Sequence, residues 1–498
     1  MTPGGLLPRR TRVLGAAVVL WAAAAAGGAE PVVRTTHVWR QGDATLAYTA
    51  EAGRLDLTGP DGREVRARMF FVAYRASAPG QARPVTFVWN GGPGAPSATL
   101  HFASIGPTRV VGGRIVDNEQ SILSVTDLVF VDAIGTGFSR AAEPRFEPEF
   151  YNTLGDIEAF ASFVRLWRSR FASPRAPTVL LGESFGAPRA AAVAERLLAM
   201  GEPVDAVSLA SGGLGLGRAA LPAEWEAAVR LPEWAGVAML HGKGLVGSGR
   251  SPDDVRAEVL DWASTVYVGA LGRVSALSAE ERSAIAETLA RYSGLAVAVI
   301  DRTSLVITPR QFRTELLRDR GQALPIFDLR RTTPVAFAPE DDAAMERHLR
   351  TTLRYETPLE YVGLAPDRTA PSTAGAPPVS VNERWDYFAP GSSAAEREAA
   401  IAEAVRVGGG PPGVSEPWIR RAFALNPRLR VHVATGHNDA GQCLQIAETV
   451  RRLESPLREA YTTACYEGGH MMYLDAGARV AFARDLTALV GAVAPRGR

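Results

Sequence analysis

The sequence predicts an α/β protein with a mostly parallel central sheet and a large helical insertion. Three observations carry this. Apolar runs of strand length alternate with helical patterns from Pro84 onward. One of those runs leads through Gly182-Glu183-Ser184-Phe185-Gly186 into an Ala-rich stretch, Ala187 to Met200, with helical character. The alternation stops near Ser211 and resumes near Leu429, which splits the core in sequence.

The elements follow in order. Arg9, Arg10 and Arg12 precede an unbroken apolar and small run, Val13 to Ala26, and Gly27-Gly28-Ala29 offers a small-residue cleavage site. Residues 1–29 therefore read as an export signal. The apolar run is shorter than the ~20 residues a spanning helix needs, and an uncleaved anchor is the competing reading. The mature protein is expected to be periplasmic or secreted, with no stable membrane partner after cleavage.

Residues 30–211 form the first part of the core. Residues 36–75 alternate as strands do, with a turn at Gly59-Pro60-Asp61-Gly62, and suggest a small antiparallel lead-in. Val85 to Trp89, Leu128 to Val131, Thr178 to Leu181 and Val204 to Leu209 read as central parallel strands. Ile157, Phe160, Val164, Trp167 and Phe171 mark an amphipathic crossover helix.

Residues 212–425 read as helices and loops that would lie as a lid over the strand ends. Ser278 and Glu281 make a capping box, and Thr308-Pro309 opens a helix that Gly321 closes. Pro366 to Pro378 reads as a loop. The run Gly212 to Gly217 lacks the acidic residue of a dinucleotide-binding unit and reads as a flexible exit from the core. Residues 426–498 complete the core. Leu429 to Ala434 and Ala460 to Tyr466 are strands, and Phe482, Leu486, Leu489 and Val490 share one face of a final helix.

Composition narrows the function. A hydrophobic fraction of 46%, a charged fraction of 21% and a net charge of +1 over 498 residues suit a soluble globular protein. No nucleic-acid field is indicated. The two cysteines, Cys443 and Cys465, give neither a metal spacing nor a disulfide framework, and no HExxH, paired CxxC or Walker A is present. Nothing calls for a metal or cofactor.

The chemistry centres on Ser184. Strand, Gly-x-Ser-x-Gly, helix is the form of a nucleophile elbow, which lifts the hydroxyl clear of the sheet. A serine needs a general base, and the base an orienting carboxylate. In α/β-hydrolases they follow in the order Ser, acid, His. Leu429 to Ala434 runs through Gly436-His437-Asn438 to Asp439, and only His470 follows. Asp439 is thus the expected acid and His470 the expected base. His437 competes with His470 and is read as lining the pocket or facing solvent. His432 reads as packed within its strand, and His37, His101, His241 and His348 as surface residues. Asn90-Gly91-Gly92-Pro93-Gly94 follows an early strand, and its backbone can approach a substrate closely. Gly92 and Phe185 are assigned as oxyanion-hole donors.

Phe87 to Gly94, Val131 to Ser139, Gly182 to Gly186, Gly436 to Asp439 and Gly468-Gly469-His470-Met471-Met472-Tyr473 together resemble the serine carboxypeptidase family, peptidase family S10. Val381 to Asp386 resembles its bacterial members. The resemblance implies release of C-terminal amino acids from peptides through a serine acyl-enzyme, best at acidic pH. It also implies that Asn90 and Glu183 bind the substrate's terminal carboxylate; the alternative is that Glu183 only orients the elbow. The family's second carboxylate-binding glutamate falls at Ser104 here. Cys443 and Cys465 flank the Asp and His loops, and either pair or remain two buried thiols. The expected protein is an exported serine carboxypeptidase acting on peptides. The alternatives are an esterase or acyltransferase on the same triad, or a non-catalytic binding protein on the same fold.

Overall fold

The computed structural model describes residues 30–494, except 78–81, 218–220, 335–337, 364–379, 389–391, 408–415 and 441. The export-signal segment 1–29 and the loop from Pro366 to Pro378 lie outside the described residues.

Long strands β1 (Val33–Gln41), β2 (Ala44–Thr58) and β3 (Val65–Ala76) form an antiparallel meander. The sheet continues through β4 (Val85–Trp89), β7 (Asp127–Val131), β9 (Thr178–Glu183), β10 (Ala206–Ala210), β11 (Arg430–Gly436) and β12 (Tyr461–Tyr466). β5 (Thr108–Val111) and β6 (Arg114–Asp117) make a separate hairpin, and short β8 (Arg140–Ala141) pairs with β3. The order is β1-β2-β3-β7-β4-β9-β10-β11-β12. β3 meets β7 antiparallel, and every pair from β7 to β12 is parallel. β4, β7 and β9 are buried along their whole length, as continuous apolar runs covered on both faces must be.

One face of the sheet is covered by helices Thr153–Phe171 and Gly186–Ala199. The expected crossover residues Phe160, Val164 and Trp167 all join that core. Helix Ala476–Val493 covers the other face through Phe482 and Leu486. Between β10 and β11 the described residues form helices with their own apolar core around Trp234, Phe312 and Leu317. Ser278 caps helix Ala279–Ser293 through the expected box with Glu281. The helix opened by Thr308 ends at Glu315, short of Gly321, and a 3-10 turn, Arg318–Arg320, carries the chain on to Gly321 in the left-handed conformation. The Gly212 run is also tighter than a flexible exit. A β-carbon on Gly212 would collide with the Ser184 carbonyl oxygen.

Cys443 and Cys465 are joined, with Cα atoms 5.8 Å apart. Parallel pairing sets Cys465 opposite Thr435, and Cys443 opens the next helix, so the bond fastens the Asp439 loop to β12. Closing a loop of 22 residues restricts the unfolded chain by about 3 kcal/mol. Replacing both cysteines by serine is expected to lower unfolding free energy by about that amount, measured by denaturant titration under non-reducing conditions.

Candidate active site

β9 delivers Ser184 through a turn that only small neighbours allow. A β-carbon on Gly182 would run into the Gly186 carbonyl oxygen, and one on Gly91 would lie 2.7 Å from the Glu183 carbonyl oxygen. Ser184 itself has φ of 58°, a left-handed conformation costing a non-glycine residue on the order of 1–3 kcal/mol. The surroundings hold it there. The Ser184 amide donates to Ala210 O at 2.8 Å, and Trp89 Nε1 donates to Gly186 O at 2.9 Å. Arg189 ion-pairs with buried Asp156 at 2.5 Å and donates to Asn90 O at 2.8 Å. This pins the elbow helix, the crossover helix and the loop after β4 to one another. Ser184 is half-buried between the buried Glu183 and Phe185.

The loop after β4 presents Gly92 at φ of 107°, exposed between buried Gly91 and Pro93. Among the described residues, neither the Gly92 nor the Phe185 amide donates to a protein acceptor. Free N–H groups of this kind are what an oxyanion hole requires.

His470 lies on the loop after β12. Its Nδ1 is 3.0 Å from Asp439 Oδ2, so the acid and base selected by chain order are brought together. The loop is held on both sides. Ser211 Oγ donates to His470 O at 2.6 Å, and the His470 amide donates to Phe327 O at 2.6 Å. The remaining link is not closed: buried His470 Nε2 has no hydrogen-bond partner, so it does not meet Ser184 Oγ. Such bonds are commonly long in ligand-free enzymes and tighten with substrate.

Glu183 Oε1 lies 3.8 Å from His470 Nε2. Burial works against a charged imidazole, but the Asp439 carboxylate, its hydrogen bond and the Glu183 charge together push His470 up to about 9. Burial raises the Glu183 carboxyl; the His470 charge and the Asn90 hydrogen bond oppose this only in part. A proton on Glu183 would remove one of the two negative charges that push the His470 imidazole up.

Asn90 Nδ2 donates to Glu183 Oε2 at 2.8 Å, and the Leu100 amide fixes Asn90 by donating to its Oδ1 at 3.0 Å. The two residues expected to bind a carboxylate are therefore one buried unit. Ser104 is fully buried and its hydroxyl has no partner, so it presents no carboxyl to this unit.

Four histidine readings need adjustment or detail. His437 stays partly exposed, and its Nδ1 is 3.1 Å from buried Glu233 on insertion helix Leu231–Leu240. His432 is packed, with Nδ1 3.0 Å from Ser208 Oγ. His101 and His348 are buried rather than on the surface. His101 stacks on Phe102 and Phe130 and bonds the Tyr74 hydroxyl at 2.7 Å.

Sequence reading gave no role to three residues at the site. Tyr473 approaches Asn90 Nδ2 at 3.4 Å, and burial followed by the Glu183 charge holds its phenol well above the ordinary value. Arg189 announced itself only as a charge within an Ala-rich helix. Phe327 comes from the insertion and carried no signal in sequence.

Residues 45–245 match the family model described as serine carboxypeptidase, Peptidase S10. No curated protein matches the chain in sequence. Solved structures of similar course include a prohormone-processing carboxypeptidase from Saccharomyces cerevisiae, 14% identical, covering 89% of this chain and 91% of that one with a TM-score of 0.49. A lipase in open form is 14% identical, with 89% and 100% covered and a TM-score of 0.37. A haloalkane dehalogenase variant from Bradyrhizobium elkanii is 10% identical, with 89% and 97% covered and a TM-score of 0.37. Over residues 45–245, then, this chain is similar to the serine carboxypeptidase family.

Proposed function

We propose that this protein is an exported carboxypeptidase that removes C-terminal amino acids from peptides, with Ser184, His470 and Asp439 as nucleophile, base and acid. The pairing of His470 with Asp439 beside the Ser184 elbow carries the reading. Ser184 Oγ attacks the last peptide carbonyl while His470 Nε2 takes its proton, and the Gly92 and Phe185 amides receive the oxyanion. His470 then returns the proton to the leaving nitrogen, the C–N bond breaks, and water hydrolyses the acyl-Ser184 ester by the same route. The insertion between β10 and β11 serves as the lid. Export rests on residues 1–29; among the described residues no helix is long and apolar enough to cross a membrane.

Carboxylate recognition by Asn90 and Glu183 sets the pH dependence. Only protonated Glu183 can donate to a substrate carboxylate. Its raised pKa keeps that proton beyond the ordinary carboxylate range, and it is lost as pH rises further. KM for peptides should therefore climb on the alkaline side. Glu183→Gln donates at every pH and is expected to flatten that climb. It also removes a charge that favours imidazolium, so the acid limb of kcat/KM should move to lower pH. Steady-state kinetics across pH check both shifts.

Ser104, buried where the family has its second carboxylate-binding glutamate, favours one other reading: an esterase or acyltransferase on the same triad. A blocked dipeptide and its C-terminally amidated twin separate the two. Preferential release from the free acid supports the carboxypeptidase. Equal or faster cleavage of the amide rejects carboxylate recognition.

A further inference from the structure

We propose that Phe327, with its neighbour Ile326, is the specificity-determining wall for the leaving C-terminal amino acid and selects large apolar residues there. The proposal rests on the carboxypeptidase reading above. Both side chains are about half exposed, Ile326 at 46% and Phe327 at 50%. Phe327 lies at the imidazole: its ring and that of His470 have centroids 4.8 Å apart.

The segment is fixed in place by several bonds. The Phe327 carbonyl accepts the His470 amide at 2.6 Å, and the Leu329 amide donates to Asn438 O at 3.0 Å. Arg330 Nη2 spans Asp328 at 2.7 Å and Asp475 at 2.9 Å. Backbone and ion pairs thus hold the strap against both the Asp439 and His470 loops, while the two apolar side chains stay about half exposed.

Geometry of the chemistry says which part of the substrate meets them. The imidazole that accepts the serine proton must deliver it to the leaving nitrogen, so whatever flanks His470 flanks the leaving amino acid. Glu183, proposed to receive that amino acid's carboxylate, lies 3.8 Å from His470 Nε2. The leaving residue would be held by its carboxylate at Glu183 and by its side chain at Phe327.

The test compares the full-length enzyme with Phe327→Ala and Phe327→Lys on blocked dipeptides ending in Phe, Leu, Ala or Glu. Each substitution keeps the backbone carbonyl that holds His470. Phe327→Ala is expected to lower kcat/KM for Phe- and Leu-terminated peptides by about tenfold or more, mostly through KM, and to leave Ala-terminated peptides within about twofold. Phe327→Lys should reverse the preference toward peptides ending in Glu. An unchanged ratio between Leu- and Ala-terminated peptides would overturn the proposal, as would an equal loss on all of them or a displaced pH profile. Failure of the unmodified enzyme on every peptide, with activity on simple esters, would instead overturn the carboxypeptidase reading, and this proposal with it.

Discussion

Replacing Ser184 by alanine is expected to lower kcat by about 10⁶-fold and leave the fold intact. Among the described residues the hydroxyl makes no bond that holds the turn; the backbone amide does, through Ala210 O. Alanine is no larger than serine and meets the same left-handed constraint, so the strain of φ at 58° is unchanged. What disappears is the only group the elbow offers to an acyl carbon. KM should change little, because Asn90, Glu183 and the Gly92 and Phe185 amides remain. Comparison of kcat, KM and thermal unfolding for the two proteins checks all three statements.

Asp439→Asn is expected to cost about 10⁴-fold in kcat. Asp439 Oδ2 accepts from His470 Nδ1 at 3.0 Å, which leaves Nε2 as the basic nitrogen. An asparagine NH₂ in that place donates instead and drives the proton to Nε2, facing the serine. The shape is conserved, yet the base becomes a donor. His470 also loses its largest stabilising charge, so its pKa should fall from the raised value. A proton NMR titration of the imidazole alongside kcat would read both effects. Lower activity with an unmoved His470 pKa would contradict this account.

Much of the core was legible because burial on both faces leaves a plain mark. Strands such as Val85–Trp89 and Thr178–Glu183 are continuous apolar runs, and few other structures use such runs at that length. The elbow was legible because Gly182 has no room for a side chain, and that requirement is written directly in the residue type. Chain order pointed to Asp439 and His470, and the two side chains do meet at 3.0 Å.

Other features depend on neighbours distant in sequence, and there the reading ran out. His101 looks like any surface histidine until Phe130 of β7 and Tyr74 of β3 close around it. Whether Cys443 and Cys465 meet depends on β11 lying parallel beside β12, which spacing alone does not reveal. Phe327 reaches His470 through the packing of the insertion, whose helices follow their own core and not a pattern shared with the sheet. Helix Pro309–Glu315 was read too long because its start signal is local while its stop is set by the packing of Leu316 and Leu317.

The most direct measurement is covalent labelling with a fluorophosphonate followed by peptide mass spectrometry. An alcohol activated by an imidazole and flanked by two amide donors should be phosphonylated at Ser184 alone, with the adduct absent in Ser184→Ala and formed far more slowly in His470→Ala. Folded protein that stays unlabelled, or that carries the adduct on some other residue, would contradict the claim that Ser184, His470 and Asp439 work as one catalytic unit.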